Sequence, residues 1–163
     1  MIKLKIGNPK EKNKELIELI KNVQINQFYL NNQKDFRDLI LSNIQKSDSV
    51  LDLGKGMREK FNMIDCSKLE TLDVNEYDDY PDIICDLCGE INDDLKNRYD
   101  KIICLAILEH VYNPFKAVEN LTKMLKKNGT LYGYVPYLYH YHAHKNLKFQ
   151  DYFRFSKDAL IYL

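Results

Sequence analysis

Apolar positions recur with two different periods along the chain, and the change of period divides it. Leu16, Ile17, Leu19, Ile20 and Val23 fall at helical spacing after a charged stretch, which predicts a helix over about residues 11–23. Phe36, Leu39, Ile40 and Ile44 share one face and predict a second helix over 35–45. From residue 49 onward the apolar runs become short: 49–53, 69–74, 82–85, 101–105 and 130–135. Bounded by polar and turn-forming residues, each reads as a buried strand.

One helix between these strands is well marked. Asn113 can cap it, Pro114 fits its first turn, and Phe115, Val118, Leu121 and Leu125 supply an apolar stripe. Lys126 and Lys127 suit its negative end, and Gly129 can close it in a left-handed turn. Strands alternating with helices predict an α/β fold, a doubly wound parallel sheet covered on both faces. At 163 residues, with no repeats and no convincing internal linker, the expectation is one domain. It would comprise N-terminal helices over 1–46, a core over 47–137 and a final segment and helix over 138–163.

Composition narrows the function classes. Lys plus Arg equals Asp plus Glu at 24 each, so no excess positive charge points to a nucleic-acid backbone. The lysines at 3, 5, 10, 12 and 14 alternate with Glu11 and Glu15 and read as a solvated surface. No apolar run approaches the roughly 20 residues of a membrane span. Residues 1–14 lack the apolar core of a signal peptide, and four cysteines among strand-like residues suit reduced thiols, so the expected compartment is cytoplasmic. Cys85 and Cys88 have the spacing of a redox or half-zinc motif, but there is no second pair and no obvious helix start.

The stretch Val50-Leu51-Asp52-Leu53-Gly54-Lys55-Gly56 is a strand running into a glycine turn. Gly54 and Gly56 permit positive φ and a close backbone approach to a ligand. A dinucleotide fingerprint places a third glycine three residues after the second, and here that residue is Glu59, which opposes a pyrophosphate. The Gly-Lys-Ser/Thr of a phosphate loop is absent. Asp52 favours a ligand with a cationic group. Asp73 ends the second strand nineteen residues after Gly54, close to the roughly 20-residue spacing at which a carboxylate meets ribose hydroxyls. Asp86 closes the third strand, where a purine amino group would lie. Any one of these carboxylates alone is more often a solvated turn residue. Together, in order at strand ends, they describe a nucleoside without phosphates that carries an amine and a cationic centre, as S-adenosylmethionine does.

From residue 49 to 162 the pattern resembles class I S-adenosylmethionine-dependent methyltransferases. Residues 50–56 are similar to that family's first motif, Thr71–Glu76 to its acidic second and Asp82–Gly89 to its third. The block from Tyr99 to Pro136 is similar to the strand–helix–strand unit of the small-molecule branch. Two departures are the single Gly129, where that branch has a glycine pair, and Lys55, where it has a small residue or cysteine. The resemblance implies a Rossmann-like sheet of five strands in the order 3-2-1-4-5. It also implies that the family's last two strands are missing, since the sequence ends at Leu163 inside an apolar helical pattern. It implies that Asp52, Gly54, Lys55 and Gly56 meet the methionine portion of the cofactor. Asp73 and Val74 would meet the ribose, Asp86 and Leu87 the adenine, and Leu105 and Ala106 would pass beneath it. With those two strands missing, residues 130–135 become an open sheet edge, which predicts either a homodimer through that edge or a chain shortened relative to its relatives, with weakened or absent activity.

Glu109 and His110 stand where the fourth strand gives way to the helix at Asn113. In parallel α/β sheets ligands bind at the carboxyl ends of strands. His110 is therefore a candidate base for taking a proton from an acceptor, and hydrogen bonding within the loop is its other reading. Residues 136–160 are rich in tyrosine and histidine and resemble the acceptor segment of methyltransferases associated with cell-surface glycan or small-molecule biosynthesis. By that resemblance Tyr137, His140 and His142 line the acceptor pocket, with His142 as a second catalytic candidate and Glu109 on the substrate side. Asp151 and Arg154 either contact a polar acceptor or buttress the loop. His140, His142 and His144 alternate as metal ligands could, but no cysteine or ordered carboxylate nearby completes a set, so no metal is assigned. Ser156 is placed to cap a last helix.

The function expected is methyl transfer from S-adenosylmethionine to oxygen or nitrogen of a small polar acceptor, such as a sugar precursor. A non-catalytic S-adenosylmethionine-binding partner or regulatory protein is the alternative. A nicotinamide-dependent oxidoreductase is disfavoured by Glu59.

Overall fold

A computed structural model describes residues 24–25, 33–143 and 148–163. Six strands form one sheet among the described residues: β1 (Gln24–Ile25), β2 (Ser49–Leu53), β3 (Lys68–Asp73), β4 (Ile83–Ile84), β5 (Tyr99–Leu105) and β6 (Leu125–Tyr134). All pairings are parallel, and the order is β1-β6-β5-β2-β3-β4. The five strands expected from the sequence thus lie in the expected order 3-2-1-4-5, and the fold is a Rossmann-like α/β sheet.

The sheet is covered on both faces by α1 (Gln33–Asn43) and α2 (Pro114–Met124). Strand side chains alternate between faces. Val50, Ile103, Leu105 and Tyr132 therefore pack with Phe36 and Ile40 of α1. Leu51, Ile102 and Leu131 pack with Ala117, Leu121 and Met124 of α2. Each of the fully buried aliphatic side chains contributes roughly 1.5–3 kcal/mol of transfer free energy. A short third helix, α3 (Lys157–Tyr162), starts where Ser156 Oγ accepts from Ala159 N at 3.2 Å.

The sequence-based picture needs several corrections. At Thr130 and Leu131 the expected open edge is covered, because Gln24 and Ile25 pair with them in parallel. A two-residue strand has no periodicity to read, so this edge partner left no sequence signal. The homodimer expected from an open edge loses its physical ground at those two residues. The helix predicted over 11–23 lies outside the described residues.

Helix α2 begins as expected, with Asn113 Oδ1 accepting from Lys116 N at 3.2 Å and Pro114 in the first turn. It ends earlier than expected, at Met124, and the chain passes directly into β6. Lys126 lies in that strand and pairs with Asp100 at 2.8 Å, and the left-handed residue is Asn128 (φ 64°) rather than Gly129. The buried stripe is Ala117, Leu121 and Met124, whereas Phe115 is exposed with its ring edge-on to Tyr162. Asn120 is buried on the same face, donating to Leu87 O at 2.9 Å and Gly89 O at 2.8 Å. That buried amide fastens α2 to the loop after β4, which forms one wall of the site.

No helix among the described residues is long and apolar enough to cross a membrane.

Candidate active site

The carboxyl ends of β2, β3, β4 and β5 open into one cavity of about 510 Å³, within the usual size of a small-molecule site, roughly 300–1,000 Å³. Gly54, Gly56, Asp73, Val74, Asp86, Leu87, Leu105 and Ala106 all line it, and so do His110 and His142. Residues spread over most of the chain therefore converge, because parallel strands put all their carboxyl ends on one side.

The glycine turn is tight. Gly54 adopts φ 60°, and Lys55 (φ 48°) and Arg58 (φ 51°) are also left-handed, which non-glycine residues adopt only at a cost. A Cβ on Gly54 would stand 2.7 Å from Ile107 Cδ1. Gly56 does not adopt positive φ; its need is for space, since a Cβ there would lie 3.0 Å from Leu105 Cβ. Ala106, at the end of β5, is held at φ 55° while its N–H donates to Tyr134 O at 2.8 Å. A strained non-glycine residue at a cavity wall is a common mark of a functional site.

Asp73 is fixed from two sides. Asn75 N donates to its Oδ1 at 2.9 Å and the Tyr80 hydroxyl donates to its Oδ2 at 3.1 Å. Each carboxylate oxygen keeps a free lone pair for another donor. Burial and then the neighbouring Asp73 charge push the Tyr80 hydroxyl upward, so it remains a donor. Asp86 accepts from Cys88 N at 2.8 Å, an Asx turn that shapes the adjoining wall. Burial pushes both the Cys85 and Cys88 thiols up, which opposes the thiolate that redox or zinc chemistry at this pair needs.

Two residues expected at the cofactor do not line the cavity. Asp52 is fully buried beneath the turn, where its Oδ2 accepts from Met57 N at 3.1 Å and its Oδ1 has no partner among the described residues. Burial pushes its carboxyl up to about 7, against the opposing pull of the Met57 and Gly56 N–H groups and of Arg37. Lys55 faces away from the cavity, 3.7 Å from Asp79 and over the Tyr80 ring.

On the acceptor side, His110 follows β5 in a single 3-10 turn, Leu108–His110. His110 Nδ1 meets Gln150 O at 2.5 Å, and its Nε2 lies 3.1 Å from His142 Nε2. Burial lowers the His110 pKa, the Gln150 carbonyl partly restores it and His142 lowers it again. Glu109, on the substrate side in the sequence reading, does not line the cavity. It is fully buried behind His110, with both carboxylate oxygens lacking hydrogen-bond partners among the described residues. Burial pushes its carboxyl up to about 7, and the Arg154 charge opposes that rise. Its backbone carbonyl accepts from Tyr152 N at 2.8 Å and holds the returning chain in place.

Tyr137, His140, Asp151 and Arg154 do not line the cavity either. Tyr137 is exposed, and the His140 ring stacks on Tyr139. Arg154 bonds both oxygens of Asp151, at 2.5 and 2.7 Å, and donates to Tyr139 O and His140 O. Of the two readings of this pair, the geometry is that of a loop buttress. The Arg154 hydrogen bond holds the Asp151 carboxyl well below the usual carboxylate range.

Residues the sequence reading missed complete the cavity. Phe149 packs against His110 with ring centroids 4.5 Å apart, and Lys148 lies over Tyr77. Arg58 contributes a cation to the cavity wall. Its place two residues after Gly56 was the one signal available. The others arrive by long-range folding.

No family model and no curated protein matches the chain. Among solved structures, a proposed methyltransferase from Bacillus halodurans C-125 is similar at 19% identity and TM-score 0.49, over 60% of this chain and 49% of that one. The cyclase SpnF is similar at 15% identity and TM-score 0.49, over 72% and 54%. The N-methyltransferase NodS from Bradyrhizobium japonicum WM9, solved with S-adenosyl-L-homocysteine, is similar at 18% identity and TM-score 0.43, over 73% and 71%. The chain thus spans about half the length of the first two.

Proposed function

We propose that this protein is a class I S-adenosylmethionine-dependent methyltransferase acting on oxygen or nitrogen of a small polar acceptor, such as a sugar precursor. The observation that carries the reading is the meeting of Gly54, Gly56, Asp73, Asp86 and Leu87 with His110 in one cavity at the strand ends. Bound there, S-adenosylmethionine supplies an electrophilic methyl group on a sulfonium. Asp73 takes the ribose hydroxyls, with Tyr80 and Asn75 fixing its carboxylate. Asp86 and Leu87 hold the adenine, the backbone at Gly54 and Gly56 admits the methionine portion, and Arg58 pairs with its carboxylate. Leu105 and Ala106 form the floor. Methyl displacement depends mainly on holding the nucleophile in line, a role that suits the walls formed by His110, Phe149, Gln150 and Tyr152. His110, an imidazole at this wall, supports removal of a proton from the acceptor.

The test joins calorimetry with a transfer screen. S-adenosylhomocysteine should bind and NAD should not, and radiolabelled methyl groups should reach at least one member of a panel of sugars, nucleotide sugars and amines. NAD binding in preference to S-adenosylhomocysteine would overturn the assignment. Binding without transfer to any acceptor would favour the regulatory alternative.

A further inference from the structure

We infer that Glu109, His110 and His142 form a binding site for one divalent cation of the zinc type, held by a carboxylate oxygen and two imidazole Nε2 atoms, with its remaining positions open to the cavity. This inference goes beyond methyl transfer and does not depend on it; with the cation bound, His110 Nε2 is a ligand, and the base role proposed above applies to the metal-free protein.

The three donor atoms lie within 4.8 Å of one another. His110 Nδ1 is 2.5 Å from Gln150 O, and His142 Nδ1 is 3.2 Å from His140 O and 3.1 Å from Asp151 Oδ2. Carbonyl and carboxylate oxygens only accept, so each Nδ1 carries its ring's proton. Both Nε2 atoms then present bare lone pairs, and they face each other at 3.1 Å. Two lone pairs at that distance repel unless a proton or a cation lies between them.

Glu109 decides between the two. Its side chain is fully buried, neither oxygen has a hydrogen-bond partner among the described residues, and Oε1 is 3.7 Å from His110 Nε2. A buried carboxylate without partners is costly. One divalent cation satisfies the two lone pairs and the orphan carboxylate together once the widest donor separation, up to 4.8 Å, closes to the roughly 4.2 Å that two metal–ligand bonds span. With metal–nitrogen bonds of about 2.0–2.1 Å, the 3.1 Å separation sets an angle of roughly 100° at the metal, between the octahedral and tetrahedral values.

The surroundings are those of a ligand set. Metal-bound imidazoles donate their other N–H to a carbonyl or carboxylate, which fixes the ring. Here Gln150 O does this for His110 and His140 O for His142, while Asp151 Oδ2, itself clamped by Arg154, accepts from the His142 backbone N–H. Two imidazoles and one carboxylate match a zinc site with an open position, whereas magnesium and calcium prefer all-oxygen shells. The carboxylate that the alternating histidines lack nearby in sequence comes from Glu109, 33 residues before His142.

The full chain, stripped with a chelator, is titrated with Co2+ and followed by its visible absorption, with Zn2+ as competitor. The expected result is one Co2+ per chain, displaced by Zn2+, and a higher melting temperature with metal bound. Glu109→Gln and His142→Gln should each weaken Co2+ binding by at least roughly ten- to hundred-fold, the loss seen when even outer partners of a metal site are removed. Absence of Co2+ binding to the wild type, or unchanged binding in Glu109→Gln, would overturn the inference. In chelator the Glu109→Gln protein should melt no lower than wild type, since it loses a carboxylate that has no partner. A lower value would mean that Glu109 serves the metal-free fold, and would sink the site. S-adenosylhomocysteine affinity, measured separately, bears on the methyl-transfer reading alone, because no ribose- or adenine-facing residue is a metal ligand.

Discussion

The two sides of the cavity are built on opposite principles. On the glycine-turn side the carboxylates that line the cavity are satisfied by near neighbours, Asp73 by Asn75 and Tyr80 and Asp86 by Cys88, while Asp52 beneath the turn keeps one oxygen without a partner among the described residues. On the histidine side both Glu109 carboxylate oxygens lack a hydrogen-bond partner among the described residues, and two imidazole Nε2 atoms meet at 3.1 Å across 32 residues of sequence. The first side is held by local turns and stands ready to accept donors from a ligand. The second is held by residues distant in sequence and stores unsatisfied charge. Preorganised acceptors suit binding, and unsatisfied groups in a dry wall suit chemistry or a cation.

If the two sides act independently, the largest expected effect is on turnover. His110→Ala should lower kcat by roughly 10²–10⁴-fold, the usual contribution of a positioned acid–base group, while S-adenosylhomocysteine affinity hardly changes. An equal loss in both quantities, accompanied by a lower melting temperature, would merge the two sides into one structural unit.

The next effect tests Asp52, the buried carboxylate on the glycine side. Its folded pKa is raised to about 7 from an ordinary 3.8, so the folded state retains a proton that the unfolded state has released between those values. Stability therefore falls as pH rises through that window and levels off above about 7. Asp52→Asn should remove this component, on the order of a few kcal/mol at pH 8, and the difference between wild-type and variant denaturation curves at pH 4 and pH 8 isolates it. Parallel curves at the two pH values would show that Asp52 is ionised in the folded protein.

A smaller effect sharpens the binding side. Asp73→Ala should weaken S-adenosylhomocysteine by about 1–3 kcal/mol, the cost of charge-assisted hydrogen bonds left unmade. Calorimetry that finds no loss would remove ribose contact from Asp73. The smallest concerns the helix that carries the Leu87 loop. Asn113→Ala should cost about 1 kcal/mol of stability in chemical denaturation, as loss of an N-cap does. A neutral result would assign the start of α2 to Pro114 and packing alone.

The comparison also explains what could be read in advance. The strand order, the glycine turn, Asp73 and Asp86 follow from spacings of a few residues within single strand–turn units, where backbone geometry ties sequence distance to spatial distance. Asn113 and Ser156 were readable as caps for the same reason. The end of α2 was not, because Lys126 and Lys127 suit a helix end as well as a strand and the pairing with β5 chose the strand. Asp52 was misplaced because a carboxylate at a strand end reads the same whether it points into a cavity or under a turn.

The sequence by itself determined five of the six strands among the described residues, which turn is glycine-built and which carboxylates close the strands, since these depend on local periodicity and φ preferences. Only the tertiary structure decided that β1 covers the edge of β6, that Arg154 and Asp151 buttress a loop, and that Glu109 meets His142. Those outcomes depend on which unpaired groups find one another across long loops, and residue spacing carries no information about that choice.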